Sequence, residues 1–259
     1  MHELFGILAI AHRDLVKLLR DRTRLIADIT FPFIIIGVLG TSLQAGFGDV
    51  AGFDILTFVF TGVLAQTLWQ SAALGVISLI EDRENDFSQE IFVSPISRYS
   101  IVIGKVLGES LVALPQGIAI IAFGLLIGVD LSLAALLALV PILLIVTVFG
   151  GAFGVLVLSR LPNRRAATQI FPFIMLPQFF LAGIFNPIGD LPWFLDLASR
   201  LAPMRYAVDL MRDVYYGIHP ESVDIALAPL GTNLAIIGGL FAVFIVAGTA
   251  MFVRAERNR

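Results

Sequence analysis

The residue types that most often carry out chemistry are sparse in this chain, and their spacing argues against it. His2, His12 and His219 are scattered, which does not suit a histidine-ligated metal. There is no cysteine, hence no disulfide framework, thiolate metal site or cysteine nucleophile. Gly104-Lys105 lacks the rest of a P-loop: Tyr99 stands where the first glycine belongs and Val106 where Ser or Thr would follow the lysine. No G-x-S-x-G elbow occurs. What remains is a set of polar side chains inside apolar stretches. One stretch holds Gln66, Thr67, Trp69, Gln70 and Ser71, and another holds Thr168, Gln169 and Gln178 with Pro172 and Pro177. Gln66 and Gln70 are one turn apart and share a helix face. Amides avoid lipid, so these residues should face a helix bundle, either as a passage or gate for a cargo or as interhelical hydrogen bonds. Asp209 and Arg212, three residues apart and near Tyr206, read as a local ion pair or as part of a gate on the outside.

The elements that must position these residues follow from composition. Of 259 residues, 58% are hydrophobic and only 14% charged. Soluble domains carry about 25% charge, so an ordinary cytosolic enzyme and a disordered chain are excluded. A net charge of -3 gives no basic bias toward nucleic acid. Six charge-free windows are long enough to span a bilayer, which takes about 20 apolar residues. Backbone in hydrocarbon must bond to itself, so each is read as a helix. The expected fold is all-α and integral to the membrane. It is one transmembrane domain over 1–259, with spans at about 27–46, 55–80, 101–128, 132–158, 167–186 and 232–253. Every Lys and Arg except Arg200, Arg205 and Arg212 falls on one side of these spans, which places both termini in the cytoplasm.

Residues 1–25 read as an amphipathic arm in the cytoplasmic interface. Leu4, Ile7, Leu8, Ala11, Leu15, Leu18 and Leu19 repeat at helical spacing, with Arg13, Asp14, Lys17, Arg20 and Asp21 on the other face. The outside segment 187–231 is apolar but broken by Pro187, Pro192 and Pro203, and reads as two short helices dipping into the outer leaflet. Trp193, Tyr206, Tyr215 and Tyr216 suit an interface there. The loop 81–98 is acidic and partly apolar. Asp86 with Gln89 can cap a short helix, Phe87 and Ile91 share a face, and Pro95 ends it. The span interiors read as free of ionisable groups, with Asp28 and Glu109 near cytoplasmic ends, so nothing within the bundle supplies energy for transport.

Three segments resemble the permease subunits of type-two ABC exporters. The first is Asp82-Arg83-Glu84 through Glu90-Ile91-Phe92-Val93-Ser94-Pro95-Ile96-Ser97-Arg98 and on to Gly104-Lys105. The second runs from Phe171-Pro172 through Pro177 and Phe180-Leu181-Ala182-Gly183-Ile184-Phe185-Asn186-Pro187 to Leu191-Pro192. The third is Pro203-Met204-Arg205-Tyr206-Ala207-Val208-Asp209-Leu210-Met211-Arg212, close to a Pro-x-x-Tyr-x-x-Asp-x-x-Arg pattern. The family's acidic loop often contains a glycine, and this chain has none between Arg83 and Glu90.

The resemblance implies a transport subunit that is not itself an enzyme. It would bind no cofactor, while ATP and Mg would belong to separate cytoplasmic ABC ATPase subunits. A second permease copy, as a homodimer, would complete the pore in the cell membrane. The coupling helix would fall on about 85–94, with Phe87, Glu90, Ile91, Ser94, Pro95 and Arg98 as coupling residues. The passage would involve Gln66, Trp69, Gln70, Gln169 and Gln178 along spans 2 and 5. The outside gate would involve Tyr206, Asp209 and Arg212. The cargo class stays broad: a hydrophobic or amphiphilic small molecule, a lipid or a lipid-linked glycan. The competing readings are an ATP-independent channel or secondary transporter, and an intramembrane enzyme acting on lipid, for which no catalytic cluster is seen.

Overall fold

A computed structural model describes residues 2–84, 97–219 and 225–257. All regular structure among them is helical. In chain order the helices are α1 (His2–Arg20), α2 (Arg22–Ile34), a π-helical stretch (Ile35–Gly40), α3 (Thr41–Ala51), α4 (Ile55–Gly75) and α5 (Ile77–Glu84). They continue with α6 (Arg98–Leu126), α7 (Leu133–Leu158), α8 (Arg164–Leu181), α9 (Trp193–Leu201), α10 (Pro203–Ile218) and α11 (Leu230–Arg257).

Short polar side chains set the helix starts. Asp54, Ser97, Ser132 and Asn163 each accept a hydrogen bond from the backbone N–H three residues on, capping α4, α6, α7 and α8. Gly52, with φ 74°, ends α3 in the left-handed conformation. Gln44 then closes the hairpin, its side-chain oxygen accepting from the N–H groups of Ile55 (2.7 Å) and Leu56 (3.2 Å).

α4 is the central helix. Thr57 through Trp69 are all buried, as expected of a helix that is apolar on every face. It lies against α6 and α7, with α10 across its Ile55 end and α11 behind α7. Glycines permit the closest crossings. A Cβ on Gly150 or Gly154 of α7 would meet the carbonyls of Trp69 and Ala73 on α4. A Cβ on Gly104 or Gly108 of α6 would come within 3.2 Å of Ile7 Cα or 3.1 Å of Ala11 Cα, so α1 lies along α6.

Among the described residues, five segments are long and apolar enough to cross a membrane: Leu25–Gly48, Ile55–Glu81, Arg98–Leu126, Leu133–Leu158 and Leu230–Arg254. The crossing expected at 167–186 is not among them. That stretch folds as α8, an 18-residue helix containing Pro172 and Pro177 and led by Arg164 and Arg165. At 1.5 Å per residue it is about 27 Å long, slightly short of a hydrocarbon core of about 30 Å.

Two expectations need correction. Asp14 does not lie on an exposed polar face. It is only 4% exposed because Lys105 of α6 faces it with an opposite charge, 2.8 Å away. Tyr215 does not sit free at an interface, since it is buried and its hydroxyl donates to the Asp130 carbonyl at 2.6 Å. Asp28, the fourth residue of the Leu25–Gly48 segment, is attached to α6. Its carboxylate accepts from the Gln116 amide at 3.1 Å. Gln116 is about 15 Å from the Leu126 end of α6, and the facing Gln66 about 16 Å from the Ile55 end of α4. The register is fixed beyond Asp28, where Phe33 stacks on Phe123 at 4.2 Å between ring centroids.

Candidate functional site

Between α2, α4 and α6 lies a cavity of about 190 Å³. Its polar lining is Asp28, Gln66, Thr67, Gln70, Ser71 and Gln116. Gln66 and Gln70 are joined by a side-chain hydrogen bond, as their one-turn spacing allows. Gln66, Thr67 and Gln116 are buried and Asp28, Gln70 and Ser71 half-buried, whereas Ala27 and Phe31 on the rim are exposed, so the cavity opens sideways past α2. Of the five residues expected along a passage, these two glutamines share the cavity.

The other three lie elsewhere. Trp69 is fully buried on another face of α4, packed against Phe149 (6.4 Å) and Phe153 (4.7 Å) of α7. Gln178 links helices: its amide donates to Ile174 O and its oxygen accepts from Met204 N, both at 3.3 Å. Gln169 is exposed in an open polar basin at the start of α8, together with Asn163, Arg164, Arg165 and Thr168.

The expected pairing of Asp209 with Arg212 is replaced by two longer-range attachments. Asp209 accepts from Leu227 N (2.7 Å), Ala228 N (3.0 Å) and Asn233 Nδ2 (2.8 Å), which secures the start of α11 to α10. Arg212 points the other way. Its guanidinium carbon lies 3.5 Å from the centre of the Phe58 ring, and Nη2 donates to the carbonyls of Phe58 (3.2 Å) and Ile184 (3.3 Å). Gly62 makes room, since a Cβ there would lie 2.9 Å from Nη2. Tyr206 donates to the Arg200 carbonyl at 2.8 Å and so ties α10 to α9. Asp209→Asn removes the charge from this cap while keeping one acceptor. It is expected to cost about 1–2 kcal/mol, read as a lower unfolding temperature in detergent. An unchanged temperature would refute the cap's role.

Phe87, Glu90, Ile91, Ser94 and Pro95 lie outside the described residues, as does the short helix expected at 85–94. Arg98 is the first residue of α6. Both stems of that loop are held. On one side, Glu81 pairs with Arg164 of α8 at 2.9 Å. On the other, Ser97 N donates to the Glu3 carboxylate at 3.0 and 3.2 Å. A hydrogen bond from the Ser100 side chain and the one from Ser97 N–H hold the Glu3 carboxyl below its ordinary value.

A chain of buried charge continues inward from the arm. Lys105 donates to Asp14 at 2.8 Å and lies 3.5 Å from Glu109 one turn along α6, and Ser78 of α5 donates to Glu109 at 2.8 Å. These contacts join α1, α6 and α5. Glu3, Asp14, Lys105, Glu109 and Gln116 did not stand out in the sequence as parts of one system. The only local signal was the Gly104/Gly108 pair, which marks where α1 can approach.

A family model described as ABC-2 type transporter matches residues 6–216. The chain belongs to that family, and it is a multi-pass membrane transport permease. Among curated relatives, the ycf38 transport permease of Cyanophora paradoxa is 25% identical over 219 residues, 83% of this chain and 74% of that protein. The inner membrane transport permease YadH of Escherichia coli is 25% identical over 223 residues, 86% of this chain and 81% of that one. The multidrug ABC transporter permease YbhR of Escherichia coli is 27% identical over 164 residues. That match spans 62% of this chain but only 43% of YbhR, less than half its length.

Proposed function

We propose that this chain is the membrane half of an ATP-driven exporter in the cell membrane. It crosses six times, with α8 as the fifth crossing and both termini in the cytoplasm. It pairs with a second copy and is worked by a separate cytoplasmic ABC ATPase, which binds ATP and Mg. The residues Phe87, Glu90, Ile91, Ser94, Pro95 and Arg98 receive the ATPase stroke. The cargo is a hydrophobic or amphiphilic small molecule, lipid or lipid-linked glycan, and it passes by Gln66 and Gln70. The multidrug name of the YbhR relative leans toward the small molecule.

The observation that carries this reading is the anchoring of the loop stems. Glu81–Arg164 and Glu3–Ser97 bind the two ends of segment 85–96 to α8 and α1. Beyond them, Asp14–Lys105–Glu109–Ser78 ties α1 to the helices that flank the loop. A push on the loop therefore meets the bundle through attachments on both sides. One observation favours the ATP-independent alternative: an ionisable Asp28 lining a cavity between helices is what an ion-coupled carrier would use.

Purifying the tagged chain from native membranes in mild detergent separates the two. A stoichiometric soluble subunit with a Walker A motif is the expected companion, and a lone chain would favour the carrier. Phe87→Ala and Glu90→Ala are expected to depress transport and cargo-stimulated ATPase several-fold with normal membrane insertion. Unchanged transport in both variants would overturn the coupling assignment.

A further inference from the structure

We propose that the exposed face of α8 binds an anionic phospholipid, with its phosphate in the basin at Arg165 and its chains along Phe173, Leu176 and Phe180. The inference rests on reading α8 as a crossing. It goes beyond that reading by naming the molecule that lies against this helix.

The order of side chains along the face sets the shape of the guest. At 100° per residue, Arg165, Gln169, Phe173, Leu176 and Phe180 fall within about 80° of one another. All five are exposed. Their chemistry changes along the axis from cationic Arg165, through the neutral polar Thr168 and Gln169, to three apolar residues. Thr168 and Gln169 stand about 4.5–6 Å along α8 from Arg165, and Phe173 about 12 Å. The headgroup layer on each side of a bilayer is roughly 5–8 Å thick. Charge, hydrogen bonding and hydrocarbon therefore succeed one another at the spacing of phosphate, ester and acyl chain. Thr168 already donates to the Arg164 carbonyl at 3.0 Å, which leaves the Gln169 amide to donate to an ester carbonyl.

The charge sets the head group. The basin is about 730 Å³ and is lined by Asn163, Arg164, Arg165, Thr168 and Gln169, with no carboxylate. Arg164 is engaged by Glu81 at 2.9 Å. The Arg165 side chain has no ion pair or hydrogen bond among the described residues. A guanidinium fork matches the paired oxygens of a phosphate. A choline head brings its own cation up to the two arginines, whereas a glycerol head leaves the phosphate charge to them. Basic pockets at the cytoplasmic surface hold anionic head groups for this reason. Free phosphate uses the arginines but leaves the apolar part of the face bare.

The test uses the full chain in lipid nanodiscs. Because the chain contains no cysteine, Ile170→Cys gives a single fluorophore position beside this face without altering it. Doxyl-labelled phosphatidylglycerol and phosphatidylcholine are titrated as quenchers. Half-quenching is expected at about tenfold less phosphatidylglycerol, the ratio that one charge-assisted hydrogen bond supplies. Arg165→Gln should erase the difference and Arg165→Lys, which keeps the charge, should retain it. The same fluorophore at Val243→Cys, an exposed position on α11, should not distinguish the two lipids. Equal quenching at Ile170→Cys would overturn the proposal, as would a preference that survives Arg165→Gln or appears equally at Val243→Cys. Inorganic phosphate at constant ionic strength should leave the quenching unchanged. If it displaces phosphatidylglycerol, the basin is a bare anion contact and the lipid assignment falls.

The crossing is tested apart from any lipid. Pro162→Cys and Asn186→Cys, each a single cysteine at one end of α8, should react with an impermeant maleimide from opposite sides of the membrane. Labelling of both from one side would overturn the crossing and the lipid's placement together. Labelling from opposite sides without a lipid preference would overturn this proposal alone.

Discussion

Gly150→Leu is expected to abolish recovery of monodisperse protein. At Gly150 the α7 backbone lies directly on α4, and a Cβ would lie 2.8 Å from Trp69 Cα and nearer still to its carbonyl oxygen. Overpacked cores usually lose about 1–3 kcal/mol because neighbouring side chains can turn aside. Here the obstacle is backbone inside the central helix, so the penalty is expected to exceed about 3 kcal/mol, with α4 and α7 forced apart. Trp69, packed on Phe149 and Phe153 across the same crossing, would lose its contacts as well. Gly238→Leu is the control, since nothing lies within 4 Å of a Cβ there. Size-exclusion profiles and thermal unfolding in detergent should separate the two variants clearly. Similar behaviour would contradict the assigned crossing.

Lys105→Met should destabilise the attachment of α1 by about 3–5 kcal/mol, the usual cost of removing one member of a buried ion pair. Lys105 is 1% exposed and stands between Asp14 and Glu109, which are 4% and 3% exposed. The loss is expected to appear as faster proteolysis where α1 meets α2, together with a lower unfolding temperature. Replacing all three residues, as Asp14→Leu, Lys105→Met and Glu109→Leu, should restore most of the stability, because the cost lies in uncompensated charge rather than missing contact. If the triple variant is as unstable as the single one, the network holds the arm by some means other than charge balance.

The sequence made the helices legible and left their mutual register hidden. Charge-free windows found the apolar segments because hydrocarbon excludes charge over a fixed length. Asp54, Ser97 and Asn163 mark helix starts for equally local reasons. Asp14 could not be placed this way. A helical projection assigns it to the polar face, and its burial depends on Lys105, 91 residues away. The attachment of Asp28 to α6 was not legible either, because it depends on Gln116, 88 residues away, and on the Phe33–Phe123 stack. The polar run on α4 was legible only in part. Gln66 and Gln70 share a face, but Trp69 is about 100° around from Gln70 and turns into the core. Asp209 and Arg212 looked like partners because three-residue spacing allows it. Each found a better one on another helix.

The long separation between Asp14 and Lys105 also has a consequence in time. A ribosome adding about 5–20 residues per second makes Lys105 about 5–18 s after Asp14. During that interval α1 has already left the exit tunnel and the first two crossings are being inserted, while the lysine that will hold Asp14 has yet to be translated. The arm must wait at the membrane surface, kept soluble by its acidic and basic residues, of which Asp14 later turns inward. Its docking is therefore a late event in biogenesis, and a docked arm signals that the Arg98–Leu126 helix has been delivered to the bilayer.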